Sequence, residues 1–248
     1  MKSNENNSIN FEEVLKQEAS NIGIELNNEQ ITKFKIYKEL LLEWNKKMNL
    51  TAITDDYQII LKHFIDCLEV VKYIKKGKKI IDVGTGAGFP GLVIAIFFEN
   101  KVEITLMDSL NKRVVFLEQV VEELDLNNVK LIHARAEELA HKEEYREVYD
   151  VAVSRAVAPL NVLLEYDIPY LKVGGKALLL KGNNINEEIK EANSAFSILR
   201  CKLSNLYKYT YNVGGEIYSR SIIEIIKECS CDSKYPRPYG KIKKNPLN

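Results

Sequence analysis

The chain has 248 residues, 46% of them apolar, and Lys plus Arg equals Asp plus Glu at 35 each. That length suits one large domain, or one domain with an appendage, and leaves ample chain to bury a core. The neutral balance excludes attraction to a polyanion by overall charge, so any such partner must be read from where the charges sit.

Taken in order, residues 1–10 are polar and are expected to fray. Nothing in this start resembles a signal peptide, and no stretch approaches the roughly 18 apolar residues of a membrane span, so a cytoplasmic protein with no membrane partner is expected. A short amphipathic stretch at Phe11–Ala19 precedes a longer helical pattern. In the latter, Ile31, Phe34, Tyr37, Leu40, Leu41, Trp44 and Met48 recur at three- and four-residue steps. Asn27 with Gln30 predicts a capping box at its start. A further helix is predicted from Asp55 to Tyr73, capped by Thr54, with Ile60, Phe64, Leu68 and Val71 inward. His63 and Asp66 share one of its faces. Residues 1–75 thus read as a helical N-terminal cap.

Beyond Gly77 strands and helices alternate. Strands are predicted at Lys79–Val83, Val102–Met107, Val129–His133, Tyr149–Val153 and Lys176–Lys181. Amphipathic stretches lie between them at Gly91–Phe98, Lys112–Leu124 and Ala158–Leu171. Such alternation predicts a mostly parallel sheet covered by helices on both faces, over residues 76–232. One more helix is predicted at Asn186–Leu199. Then Leu206–Val213 and Ser221–Ile226, joined by Gly214-Gly215, read as a hairpin. The remainder, 233–248, is a basic tail: Lys234, Arg237, Lys241, Lys243 and Lys244 with no acidic residue, interleaved with Tyr235 and Tyr239. Cations among aromatic faces suit RNA, and a merely solvated tail fits the same composition.

The chemistry concentrates at Lys79–Ile96, where a buried strand runs into Gly84, Gly86, Gly88 and Gly91 and then into a helix. Pro90 suits its first turn. A glycine loop in that place lets backbone lie against a ligand. Two registers compete. Gly86-Ala-Gly88-Phe89-Pro90-Gly91 fits the dinucleotide fingerprint, whereas Asp82-Val-Gly84-Thr-Gly86-Ala-Gly88 is similar to the first motif of Rossmann-like S-adenosylmethionine methyltransferases. An acid before the first glycine faces a pyrophosphate unfavourably and a sulfonium favourably, which favours the methyl donor. Asp108, ending the second strand, suits a ribose diol in either case. An NAD(P)-dependent oxidoreductase therefore stays open as the alternative.

After the fourth strand stands Ser154-Arg155-Ala156, where enzymes that methylate exocyclic amines carry an Asn-Pro-Pro-Tyr type tetrapeptide. No Pro-Cys pair for pyrimidine C5 attack is present either. The target is then an atom already nucleophilic, such as guanine N7, which needs positioning and no general base. A cation on guanine O6 would weaken that nucleophile, so Arg155 is expected to serve the cofactor pocket or an RNA phosphate. Cys67, Cys201, Cys229 and Cys231 lack metal-site spacing and read as reduced thiols, with no metal expected.

Together these pieces resemble one family, the guanine-N7 methyltransferases of bacterial small-subunit ribosomal RNA (RsmG, earlier glucose-inhibited division protein B). The carriers are Leu41-Leu-Glu-Trp44-Asn45-Lys-Lys-Met-Asn49-Leu50-Thr51-Ala52-Ile53, His63-Phe-Ile-Asp66 and the loop 82–91. Asp108-Ser109-Leu-Asn-Lys112-Arg113, Arg135-Ala136-Glu137, Ser154-Arg155-Ala156, Lys181-Gly182 and Lys234-Tyr-Pro-Arg237 complete the set. The resemblance implies an α/β Rossmann-like methyltransferase sheet with an antiparallel final strand pair. It also implies methyl transfer from S-adenosylmethionine to a guanosine N7 of 16S ribosomal RNA, free or in the small subunit, by a monomer. Gly84, Gly86, Gly88, Phe89, Asp108, Ser109, Ala136, Glu137 and Arg155 are the implied cofactor residues. Lys112, Arg113, Arg135, Lys181, Lys234 and Arg237 are the implied RNA residues. His63 and Asp66 become neighbours of the active site, with no catalytic step assigned. Cys67 departs from the Ser expected after His-x-x-Asp, and the chain end is less regular than the family's. A non-catalytic RNA-binding assembly protein on a relic cofactor fold is the rival from another class.

Overall fold

The computed structural model describes residues 10–248; the start, 1–9, lies outside the described residues, and the expectation of fraying there with it. Helix α1 (Phe11–Asn21) leads to α2 (Asn28–Met48). The capping box at α2 forms as the sequence predicts. Asn27 accepts from the Gln30 amide at 2.8 Å, and the Gln30 side chain accepts from the Asn27 amide at 2.8 Å. Caps of this kind are worth about 1 kcal/mol. The next helical run, residues 56–73, differs from expectation in two ways. Its cap is Asp55, whose carboxylate accepts from the Gln58 amide at 2.9 Å, and not Thr54. The run also changes pitch, through α3 (Asp56–Ile59), a π-helical turn (Ile60–Ile65), α4 (Asp66–Leu68) and a 3₁₀ segment (Glu69–Tyr73).

The alternating part follows the predicted order. It runs β1 (Lys79–Val83), α5 (Gly91–Phe98), β2 (Glu103–Asp108), α6 (Asn111–Glu123), β3 (Val129–His133) and α7 (Ala136–Leu139). Next come β4 (Tyr149–Arg155), α8 (Leu160–Asp167) and β5 (Leu171–Lys181). Pro90 is the residue that caps α5, one position before its first turn. The single helix expected at Asn186–Leu199 is two, α9 (Ile185–Glu191) and α10 (Asn193–Leu199), because Ala192 leaves helical geometry at φ −85°, ψ 4°. The closing hairpin is longer than predicted, β6 (Cys201–Val213) and β7 (Glu216–Lys227), and turns at Gly214-Gly215. A short α11 (Tyr239–Lys244) ends the chain.

The strands form one seven-stranded sheet in the order β3-β2-β1-β4-β5-β7-β6, parallel up to β5 and antiparallel thereafter. Alternate residues divide the core between the two faces. Ile80, Ile104, Val153 and Leu178 face α1, α2, the 56–73 run, α5 and α6. Ile81, Met107, Ala152 and Leu179 face α8, α10 and the chain end. The N-terminal helices therefore share a core with the sheet. The chain reverses its strand order at β1, which pairs with both β2 and β4, and open α/β sheets take ligands beyond the strand ends at such a point.

Candidate functional site

The glycine loop leaves β1 at Gly84, whose φ of +73° an L side chain rarely adopts. The Gly84 and Thr85 amides both donate to the Met107 carbonyl at 3.0 Å, which fixes the loop to the end of β2. Asp82 ties the loop from beneath. Its Oδ2 accepts from the Thr85 hydroxyl and from the Gly91 amide, each at 2.7 Å. It is fully buried, and burial pushes its carboxyl up to about 7; its Oδ1 has no partner among the described residues. Asp82 thus supports the loop and does not face the ligand space, where the charge argument from sequence had set it. Gly91 is a packing glycine, since a Cβ there would lie 2.1 Å from Leu106 Cδ2. Gly88 is closed in the same way by Leu92 and Tyr37, whose hydroxyl donates to the Ala87 carbonyl. Gly86 is different: no atom lies within 4 Å of the place a Cβ would occupy.

A cavity of about 590 Å³ lies at the C-terminal ends of the parallel strands; of the loop glycines Gly84 lines it, while Gly86 and Gly88 do not. Gly84, Asp108, Ser109, Ala136 and Glu137 line it, with Val83, Met107, Val157 and Val162 supplying apolar wall. Asp108 is 3% exposed. It accepts from the Gly86 amide at 2.9 Å, from the Leu110 amide at 2.8 Å and from Arg113 at 3.2 Å. Glu137, also buried, has Arg135 at 3.8 Å. The volume lies within the range of small-molecule sites. A glycine turn at Gly84, a carboxylate at the end of β2, another in the first turn of α7 and apolar walls between them fit the adenosine half of S-adenosylmethionine. Gly84, Asp108, Ser109, Ala136 and Glu137 are the residues that would hold it.

Phe89 and Arg155 stand apart from that wall, in a second cluster. Phe89 stacks on His63 with ring centroids 4.5 Å apart and 17° between planes, and the Arg155 guanidinium lies 5.3 Å from the Phe89 ring. Arg155 Nη1 donates to the Lys62 carbonyl at 2.9 Å, to Asp66 Oδ2 at 2.7 Å and to Cys67 Sγ at 3.3 Å. Its Nη2 donates to His63 Nδ1 at 2.7 Å. A guanidinium can only donate, so His63 Nδ1 is the acceptor and its Nε2–H donates to Thr51 Oγ1 at 2.9 Å. Burial and the Arg155 charge lower His63 to about 3. Asp66 also accepts from the Tyr209 hydroxyl at 2.8 Å and has Arg220 at 3.6 Å. The π-helical turn holds Lys62 and His63 toward Arg155; such turns recur at functional sites. Sequence reasoning paired His63 with Asp66 but missed the π turn, Tyr209 and Arg220. The hairpin brings the last two in from far along the chain, and no local pattern marks them.

The basic residues divide as well. Lys112 is exposed, Arg113 half exposed over Asp108, and Arg135 exposed with its guanidinium 5.4 Å from the Tyr239 ring. Lys234 is exposed and pairs with Asp232 at 3.2 Å. Lys181 is turned inward, donating to the Ala158 carbonyl at 2.7 Å and to Glu188 at 2.6 Å. Arg237 is held by the buried Glu165, Nε to Oε1 at 2.8 Å and Nη2 to Oε2 at 2.7 Å.

A protein family described as rRNA small subunit methyltransferase G matches residues 30–222. A ribosomal RNA small subunit methyltransferase G from Clostridium perfringens is 47% identical, over 96% of this chain and all of that protein. One of the same name from Acetivibrio thermocellus is 47% identical over 96% of this chain and 98% of that protein. By fold, the chain is similar to M. jannaschii TYW2, solved in complex with AdoMet. The TM-score is 0.50 at 16% identity, over 62% of this chain and 71% of that one.

Proposed function

The chain belongs to the rRNA small subunit methyltransferase G family, and from that membership we propose that it methylates N7 of a guanosine in 16S ribosomal RNA with S-adenosylmethionine as donor. The cofactor supplies an activated methyl group on a sulfonium. The protein's own task is to hold that group in line with the purine. Gly84, Asp108, Ser109, Ala136 and Glu137 bind the adenosyl part, and Phe89 packs within the Arg155 cluster. Lys112, Arg113, Arg135 and Lys234, which reach solvent, are the RNA contacts of this reading; Lys181 and Arg237 act through the side chains they fix.

The observation that carries the choice of N7 is the saturation of the His63–Arg155–Asp66 cluster. Both His63 nitrogens are taken, and a group lowered to about 3 by burial and Arg155 is a poor proton acceptor near neutral pH. An exocyclic amine must lose a proton when methylated; N7 has a free in-plane lone pair and need not. Arg155, bound to four acceptors, has little left to offer guanine O6, where a cation would weaken the nucleophile. We place the enzyme in the cytoplasm as a monomer, with the RNA or the small subunit as its partner. Among the described residues no helix is long and apolar enough to cross a membrane.

The test is transfer of labelled methyl to naked 16S ribosomal RNA and to small subunits lacking the mark, followed by mapping of the modified base. Label on guanine N7 supports the proposal. Label on an exocyclic nitrogen overturns it.

A further inference from the structure

The basic chain end does not trail into solvent. Arg146 Nη1 donates to the Tyr235 carbonyl at 2.8 Å, and His141 Nε2–H donates to the Pro236 carbonyl at 2.8 Å. Arg237 grips Glu165, which is 0% exposed, through both of its side-chain faces and through its backbone amide at 2.8 Å. Ile242 and Leu247 are buried in the core beneath α8. This anchoring sets α11 across one side of the cavity, and Tyr239, Lys243 and Pro246 are part of its wall.

We infer that the segment 233–248 is a built-in wall of the S-adenosylmethionine site, in which Tyr239 and Lys243 close the adenine end. The placement follows from the neighbours. Asp108, at the end of β2, is the ribose-binding position of such sheets, so the next strand end outward, with Arg135 and Glu137, takes the base. Tyr239 stands there, its ring 5.4 Å from the Arg135 guanidinium and 5.9 Å from the Lys243 ammonium. Tyr166 lies in the same corner, its hydroxyl pushed up to about 12 by burial and by the nearby Glu137 and Tyr239. A ring that is 45% exposed and part of the cavity wall offers aromatic surface to a purine. Two of the charges that the sequence offers to RNA, Arg237 and Lys243, are then tied to building the cofactor pocket.

The inference rests on the cavity being the cofactor site, and the experiment separates the two. Calorimetric titration of S-adenosylmethionine and S-adenosylhomocysteine into the full-length wild type, Tyr239→Ala, Tyr239→Phe, Lys243→Ala and Asp108→Ala is the measurement, with thermal melts of each protein. Tyr239 is 45% exposed, so its truncation should leave the melt unchanged. Tyr239→Ala is expected to weaken both ligands about three- to tenfold, with Tyr239→Phe within about twofold and Lys243→Ala between them. Wild-type affinity in Tyr239→Ala, with affinity lost in Asp108→Ala, overturns the wall and leaves the cavity standing. Wild-type affinity in both Asp108→Ala and Tyr239→Ala overturns both. Weaker RNA binding with unchanged cofactor affinity in Tyr239→Ala and Lys243→Ala would return the segment to RNA and also overturn the wall.

Discussion

Two neighbouring regions meet at the glycine loop and are built on opposite rules. On the β2–β3 side, Asp108 and Glu137 border an open cavity. On the β4 side, Arg155, His63, Asp66, Tyr209 and Thr51 exchange hydrogen bonds until little is left over. An open region can gain a ligand, whereas a saturated one holds elements together. Here the saturated cluster joins the π-helical turn, β4 and the hairpin around Phe89, so the loop is rigid on one side and receptive on the other. Motif residues of both kinds look alike in sequence, and Asp108 is itself hydrogen-bonded on both oxygens; what separates the two sides is whether the residues border the cavity.

The largest expected effect breaks the closed side. Arg155→Ala leaves Asp66, 3% exposed, as a buried carboxylate without its principal cation. Loss of one partner of such a pair costs about 3–5 kcal/mol, read as a lowered denaturation midpoint. A change within about 0.5 kcal/mol would mean that the cluster is dispensable to the fold. Next is the open side: Asp108→Ala should weaken S-adenosylmethionine binding by about tenfold to a hundredfold, the worth of a charged hydrogen bond. Unchanged binding would place the ribose elsewhere.

The pH dependence separates the closed cluster from the support beneath the loop, because His63 and Asp82 carry opposite signs. His63 is lowered from 6.5 to about 3, so between those values the unfolded chain takes up a proton that the native one refuses. Stability therefore falls as pH drops through that window. Asp82 is raised from 3.8 to about 7, so the native chain keeps a proton that the unfolded one has lost, and stability falls as pH rises through that interval. The two windows overlap and their slopes oppose, so in melts across about pH 4 to 8 His63→Gln should uncover the loss with rising pH that Asp82 causes, and Asp82→Asn the loss with falling pH that His63 causes. Profiles that match the wild type would refute the assignment of these two groups. The smallest effect is at the surface: Lys112→Ala should lower the slope of log RNA affinity against log salt by about 0.7–0.9, measured by titration at several salt concentrations. No change in slope would remove Lys112 from the RNA surface.

Much of this was legible in the residues. The β–α alternation, the Gly214-Gly215 turn and the capping box at Asn27 depend on period and local backbone chemistry, and the structure follows them closely. The helix at 56–73 reads correctly in extent but not in pitch. Apolar spacing cannot distinguish an α turn from a π turn, and the residue that meets this one, Arg155 donating to the Lys62 carbonyl, lies far along the chain. The break at Ala192 was equally hidden, because alanine favours a helix wherever packing allows one.

By itself the sequence determined the sheet, the glycine loop and the strand-end acids, because each rests on contacts close along the chain or on a backbone only glycine adopts. The tertiary structure decided which charges are free. Asp82 went beneath the loop, Arg155 into a saturated cluster, and Arg237 and Lys181 onto buried or inward-facing carboxylates. A charged side chain carries no mark of its partner until the fold brings that partner within hydrogen-bond reach. Desolvation then makes pairing compulsory for those that are buried and leaves the others to ligands.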